Sequence, residues 1–160
     1  MSTEIKTTTP DQVDVRGPRF AAWVTTGVIV ATLLASAVSP TAAAAILGLQ
    51  AVIFAIGGWR GPRQHPYGLI FARLVAPSLG PVSEKEPVPP LKFAQWVGFG
   101  FAVVGVVGFA TGLPLLGLTA TALALVAAFL NAAFGICLGC QIYPLVARLR
   151  RTSNAARSTA

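Results

Sequence analysis

Three long runs of the chain, residues 20–39, 41–59 and 93–147, contain no charged side chain. Nothing else in the sequence limits the fold as much. Hydrocarbon offers no water to satisfy backbone N–H and C=O groups, so such runs cross a bilayer as helices. A hydrocarbon core of about 30 Å takes about 20 residues in that form. FAAWVTTGVIVATLLASAVS and TAAAAILGLQAVIFAIGGW each supply one span. The third run is too long for one and divides at the turn signal Thr111-Gly112-Leu113-Pro114. The expected spans are therefore about 20–39, 41–59, 93–111 and 114–135, the last continuing to about 147. Pro40 and Pro114 open the two returning helices, where a missing N–H costs nothing.

The fold class this implies is all-α: an integral membrane four-helix bundle made of two transmembrane hairpins. Composition agrees. Only 11% of the 160 residues are charged, less than half the usual quarter, and 54% are apolar. This argues against a soluble globular enzyme and rules out disorder over most of the length. Two cysteines are too few for a disulfide-stapled secreted module.

Net charge is +7, and its placement matters more than its size. All 12 Lys and Arg residues fall in the N-terminal tail, the central loop or the C-terminal tail, and the hairpin tips have none. The positive-inside rule puts both termini and the central loop in the cytoplasm. The basic excess is thus a topology signal, and nucleic acid is not an expected partner; the lipid bilayer is. A rival reading makes the first span a signal peptide ending near Ala35-Ser36-Ala37. The long preceding tail, with three acids beside its three bases, favours a retained span.

Residues 1–13 are polar and Thr-rich and read as a disordered tail, 14–150 as the membrane domain, and 151–160 as a basic disordered tail. Arg16 and Arg19 read as snorkelling anchors at the headgroups. In the central loop, the dense turn Arg60-Gly61-Pro62-Arg63-Gln64-His65-Pro66-Tyr67-Gly68 leads into LIFARLVAPSLG, too short to span and interrupted by Arg73. That segment is expected to be a short interfacial helix on the cytoplasmic face. Residues 81–90, with four prolines, read as an extended linker. The small residues Gly98, Gly100, Ala102, Gly105 and Gly108 suit close helix packing within the bundle.

One motif carries chemistry. The only two cysteines stand as Cys137-Leu138-Gly139-Cys140. Positions i and i+3 share a helix face, so the thiols are within bridging reach. Haem attachment would need a histidine where Gln141 stands. A structural zinc site wants four ligands, and Cys137 and Cys140 supply two. A redox or sulfur-carrying pair needs only the two thiols. Two buried cysteines acting as small apolar residues remain the plain alternative. The fourth span reaches the water interface near Phe134, so the pair faces a soluble partner there. A helix C-terminus disfavours a thiolate. Gly135 and Gly139 suggest that the helix breaks and the cysteines open a new one, with Pro144 in its first turn. His65, the only histidine, reads as a cap for the helix after Pro66, or else as a proton donor or acceptor near the cysteines. Asn131 reads as an interhelical hydrogen-bonding residue.

From about Asp14 to Arg150 the chain resembles the uncharacterised bacterial membrane family called domain of unknown function 4395. The matching residues are Val13-Asp14 with Gly17-Pro18-Arg19-Phe20-Ala21, the His65-Pro66-Tyr67-Gly68 loop, and Glu86-Pro87 with Phe93-Ala94-Gln95. Most specific is Ala128-Phe129-Leu130-Asn131-Ala132-Ala133-Phe134-Gly135 running into Cys137-Leu138-Gly139-Cys140-Gln141-Ile142-Tyr143. The resemblance implies a small protein of the bacterial cytoplasmic membrane and supplies no cofactor and no catalytic list. It implies a thiol-redox or sulfur-handling setting, because family members stand beside thioredoxin-like and sulfurtransferase proteins. A looser likeness joins the chain to membrane thiol oxidoreductases of the vitamin K epoxide reductase and DoxX kinds. A transmembrane relay of that sort normally needs a second cysteine pair, which this chain lacks.

The expected function is therefore thiol–disulfide exchange or sulfur relay at the cytoplasmic membrane face. Cys137 attacks and Cys140 resolves, His65 or the arginines tune them, and a soluble thioredoxin-like or sulfurtransferase protein is the partner. The alternative is a non-catalytic anchor for such a partner, with structural or metal-binding cysteines. A transporter role is the weakest, since the spans hold few mid-membrane polar groups beyond Asn131, Gln50 and Gln95.

Overall fold

The computed structural model describes residues 11–158, and their side chains as far as Leu149. Of the disordered tail expected over 1–13, residues 1–10 lie outside the described residues, as does the end of the C-terminal tail at 159–160. Among the described residues, four helices are long and apolar enough to cross a membrane: α1 (Arg16–Ser36), α2 (Pro40–Arg60), α4 (Val88–Ala110) and α5 (Pro114–Phe134). Between α2 and α4 lies α3 (Pro66–Ile70), and after α5 comes α6 (Leu138–Ser158). The chain is a multi-pass membrane protein built as an all-α four-helix bundle.

The two hairpin turns lie where local sequence signals put them. Ser39 caps α2 by accepting the Ala42 N–H at 3.2 Å, with Pro40 next to it. Gly112, at φ +74°, turns α4 into α5. Around the bundle α1 packs on α2, α2 on α4, α4 on α5, and α5 on α1. Ala43, Leu47, Ala51 and Phe54 of α2 meet Ala102 and Phe109 of α4 in a buried cluster. Glycines let the helices close. A Cβ on Gly98 would strike the Phe54 ring at 3.0 Å, and one on Gly108 would collide with the backbone of Gly117. Leu34, Leu49, Val107 and Leu115 point outward, one from each of the four spans, a surface that only lipid suits.

The end that carries the basic residues is more elaborate than its sequence suggested. Residues 12 and 13, expected in the tail, form with Asp14 a strand, β1 (Gln12–Asp14), paired antiparallel with β2 (Lys85–Pro87). Val13 faces Glu86 in the register. The segment expected to be a linker therefore supplies a strand and then the first turn of α4. Pro89 and Pro90 sit in that turn, where their absent N–H groups would have had no partner. The interfacial helix of the loop runs from α3 into a π-helical turn (Phe71–Val75) and a 3₁₀ turn (Ala76–Ser78). The C-terminal segment is neither a continuation of α5 nor a disordered tail over 151–158: it is the separate helix α6, packed against α4.

Candidate functional site: the cysteine pair and the adjoining histidine pocket

Gly135 sets the geometry of the cysteines. At φ +68° it ends α5, with its N–H on the Asn131 carbonyl and that of Ile136 on the Leu130 carbonyl. Three residues later the chain is helical again. Cys137 stands immediately before α6, where its carbonyl accepts the Gln141 N–H at 3.1 Å and its Sγ accepts the Cys140 N–H at 3.3 Å. It thus occupies the capping position of α6, the positive end of the helix dipole. Cys137 and Cys140 are joined by a disulfide with Cα atoms 5.2 Å apart, an ordinary spacing for such a bond. Both cysteines are half-buried.

Neighbouring elements hold this turn in place. Gly139 lies directly on Ala94 of α4: a Cβ there would come within 2.7 Å of Ala94 Cα and Cβ. One turn further along, Tyr143 tilts onto Phe93, ring centroids 5.9 Å apart. The guanidinium of Arg19, from the first turn of α1, fills the space a side chain on Gly135 would need. Arg19 also favours the ionised form of Glu86, whose pKa burial pushes up. Pro144 differs from expectation: it lies inside α6, not in its first turn. It therefore removes the helical N–H that would have met the Cys140 carbonyl.

His65 sits elsewhere. It is the cap of α3, its Nδ1 accepting the Tyr67 N–H at 3.2 Å. Its ring packs onto Gly57 of α2, which has no Cβ to block it. Burial lowers its pKa from 6.5 to about 4, against a smaller upward pull from Gln95. The structure brings Cys137 and Cys140 together but seats His65 in a separate cavity of about 430 Å³, walled by Gly17, Ala21, Phe71, Leu91 and Gln95. The cavity and the cysteine turn adjoin through consecutive residues of α4, Gln95 for the first and Ala94 for the second.

A strip of polar side chains runs from this pocket into the bundle. Tyr67 Oη donates to Gln50 Oε1 at 2.8 Å, and Gln50 Nε2 reaches Thr25 Oγ1 at 3.5 Å. Gln50, not Asn131, makes this buried interhelical link. Over the cavity, Arg63 binds the Asp11 carboxylate at 2.7 Å and the Gln12 carbonyl at 3.0 Å, tying β1 down. Asp14 is held below the usual carboxylate range by the side-chain hydrogen bond from Arg16. Among the described residues, no three His, Cys, Asp or Glu side chains converge as a metal site would require.

A family model described as a domain of unknown function (DUF4395) matches residues 13–148. The chain belongs to that family. In this DUF4395 chain the match takes in Val13 and Asp14 of β1, all of β2, the four spans and the cysteine turn. No curated protein and no solved structure matches. Sequence reasoning found the cysteines and their break at Gly135 but missed Arg19 beside them. It also missed Gly57, Gln50 and Gln95 as the setting of the histidine pocket. The only signal for that setting was the presence of two glutamines in otherwise apolar spans.

Proposed function

We propose that Cys137 and Cys140 are a thiol–disulfide exchange pair at the cytoplasmic surface of a bacterial plasma membrane, working with a soluble thioredoxin-like or sulfurtransferase protein. The observation that carries this reading is the position of Cys137 at the start of α6, with its Sγ under the Cys140 N–H. A helix N-terminus stabilises a thiolate, and the Arg19 guanidinium against Gly135 adds positive charge nearby. Cys137 is therefore the attacking thiol. Its thiolate attacks a partner disulfide, forming a mixed disulfide and releasing the partner's second sulfur as a thiolate. Cys140 then loses its proton and attacks Cys137 Sγ, closing the internal disulfide and freeing the partner as a dithiol. Two electrons pass to the partner, and the reverse sequence returns them. The cytoplasmic side is supported by the placement of the basic residues at the ends and in the central loop, as the positive-inside rule expects.

The test is trapping in intact membranes. Cys140→Ser leaves Cys137 unable to resolve and should accumulate a mixed disulfide with a soluble thioredoxin-like protein, whereas Cys137→Ser should not. If reduced Cys137 and Cys140 ignore a maleimide until the membrane is dissolved, the exchange reading is refuted and the chain is an anchor with packing cysteines.

A further inference from the structure

Leu138, Ile142, Leu145 and Leu149 recur at steps of four, three and four residues, so they form one stripe along α6, and each of them is exposed. The helix meets α4 on another side, where Gly139 lies on Ala94 and Tyr143 on Phe93. The stripe continues into the lipid-facing end of α5 through Ile136 and Phe134, which are exposed as well. From Gly139 to Tyr143 the axis of α6 advances by about 6 Å. Over the same turn its contact on α4 steps back only from Ala94 to Phe93. That suits a helix that crosses α4 at the basic end of the bundle and leaves along the bilayer surface. Charge adds a second, independent observation. Arg148, Arg150, Arg151 and Arg157 all belong to α6, and no acid follows Glu86 anywhere in the chain.

We propose that α6 is an interfacial helix that binds anionic lipid in the bilayer around the bundle. Its stripe sinks to the boundary between headgroups and acyl chains, and its arginines reach the phosphates. A guanidinium pairs with phosphate oxygens through two parallel hydrogen bonds, and a net negative surface concentrates such partners. The lipid surface is the occupant that the apolar and the basic residues select together. A second copy of the chain would set the arginines of one α6 against those of the other. An acidic soluble protein would match the charge, but it would have to displace lipid from a stripe continuous with the spans. The surface is independent of the thiol chemistry.

The experiment follows amide hydrogen exchange over α6 in the full, disulfide-bonded chain. The nanodiscs contain dioleoylphosphatidylcholine alone or mixed with dioleoylphosphatidylglycerol. Exchange should be slower in the anionic discs, by a margin that high salt removes. Arg150→Gln and Arg151→Gln should each reduce that margin about fivefold and leave exchange in the neutral discs unchanged. The double variant Ile142→Gln, Leu145→Gln should speed exchange in both lipids. Equal exchange of the unmodified chain in the two lipids overturns the proposal, as does a double variant that exchanges no faster. Soluble glycerol phosphate that protects α6 in neutral discs as well as anionic lipid does would assign the arginines to a free phosphate and also overturn it. Stronger protection by polyglutamate than by anionic lipid would overturn it in favour of an acidic protein partner.

Discussion

Acidification should destabilise the protein through one residue, and the sequence makes that residue easy to follow. His65 is the only histidine, so a histidine-selective label yields a single titrating signal. Burial on Gly57 lowers its pKa from 6.5 to about 4, with Gln95 opposing. The folded value lies below the unfolded one, so the fold favours the neutral ring. The contribution to stability is complete above pH 6.5 and declines as pH falls, until it is lost below about pH 4. Each unit is worth about 1.4 kcal/mol, so the gap corresponds to a loss of about 3 kcal/mol across that window. Two assays check it. The ¹⁵N titration of the chain in nanodiscs should show a midpoint near 4 and an ε-protonated ring above it. Reversible unfolding in mixed micelles should lose the stated stability between pH 6.5 and 4, and Gly57→Ala, which crowds the ring, should weaken this dependence. A His65 midpoint at or above 6.5, with unfolding insensitive to pH in that window, would refute the argument that burial governs this ring.

Three further outcomes follow from the packing. Tyr67→Phe removes the donor to Gln50 Oε1, whose side chain is fully buried, and should cost about 1–3 kcal/mol in the same unfolding assay. Gly139→Leu cannot sit on Ala94 as the helices now lie, so α6 should swing away; maleimide labelling of reduced Cys140 should then accelerate. Arg19→Gln should raise the pKa of the reduced Cys137 thiol, read from the pH dependence of its alkylation rate; an unchanged profile would remove Arg19 from the cysteine site.

Much of the architecture was legible in the chain because hydrocarbon is an unforgiving solvent. A charge within a span is costly, so charge-free runs mark helices with few competing readings. The expected span at 41–59 falls one residue short of α2 (Pro40–Arg60) at each end, and that at 114–135 starts with α5 (Pro114–Phe134) and overruns it by one. The third began five residues late, because Pro89 and Pro90 look like linker residues unless one knows that they fall in a first helical turn. The break before the cysteines was legible for the same kind of local reason: a glycine at the end of an apolar run suits the left-handed turn that stops a helix.

The rest depended on contacts that no local pattern encodes. Residues 12–14 become a strand only because residues 85–87 lie beside them, more than 70 positions along the chain. Arg19 looked like a headgroup anchor and became a neighbour of the cysteines once α1 and α5 packed side by side. His65 was a loop residue on paper, yet Gly57, Gln95 and Tyr67, from three different helices, enclose it. The sequence by itself determined the number of spans, the turns between paired helices and the spacing of the two thiols, because each depends on residues within one or two turns of each other. Tertiary structure alone decided what surrounds Cys137 and His65, because charge, burial and hydrogen-bond supply at a point are set by whichever elements converge there.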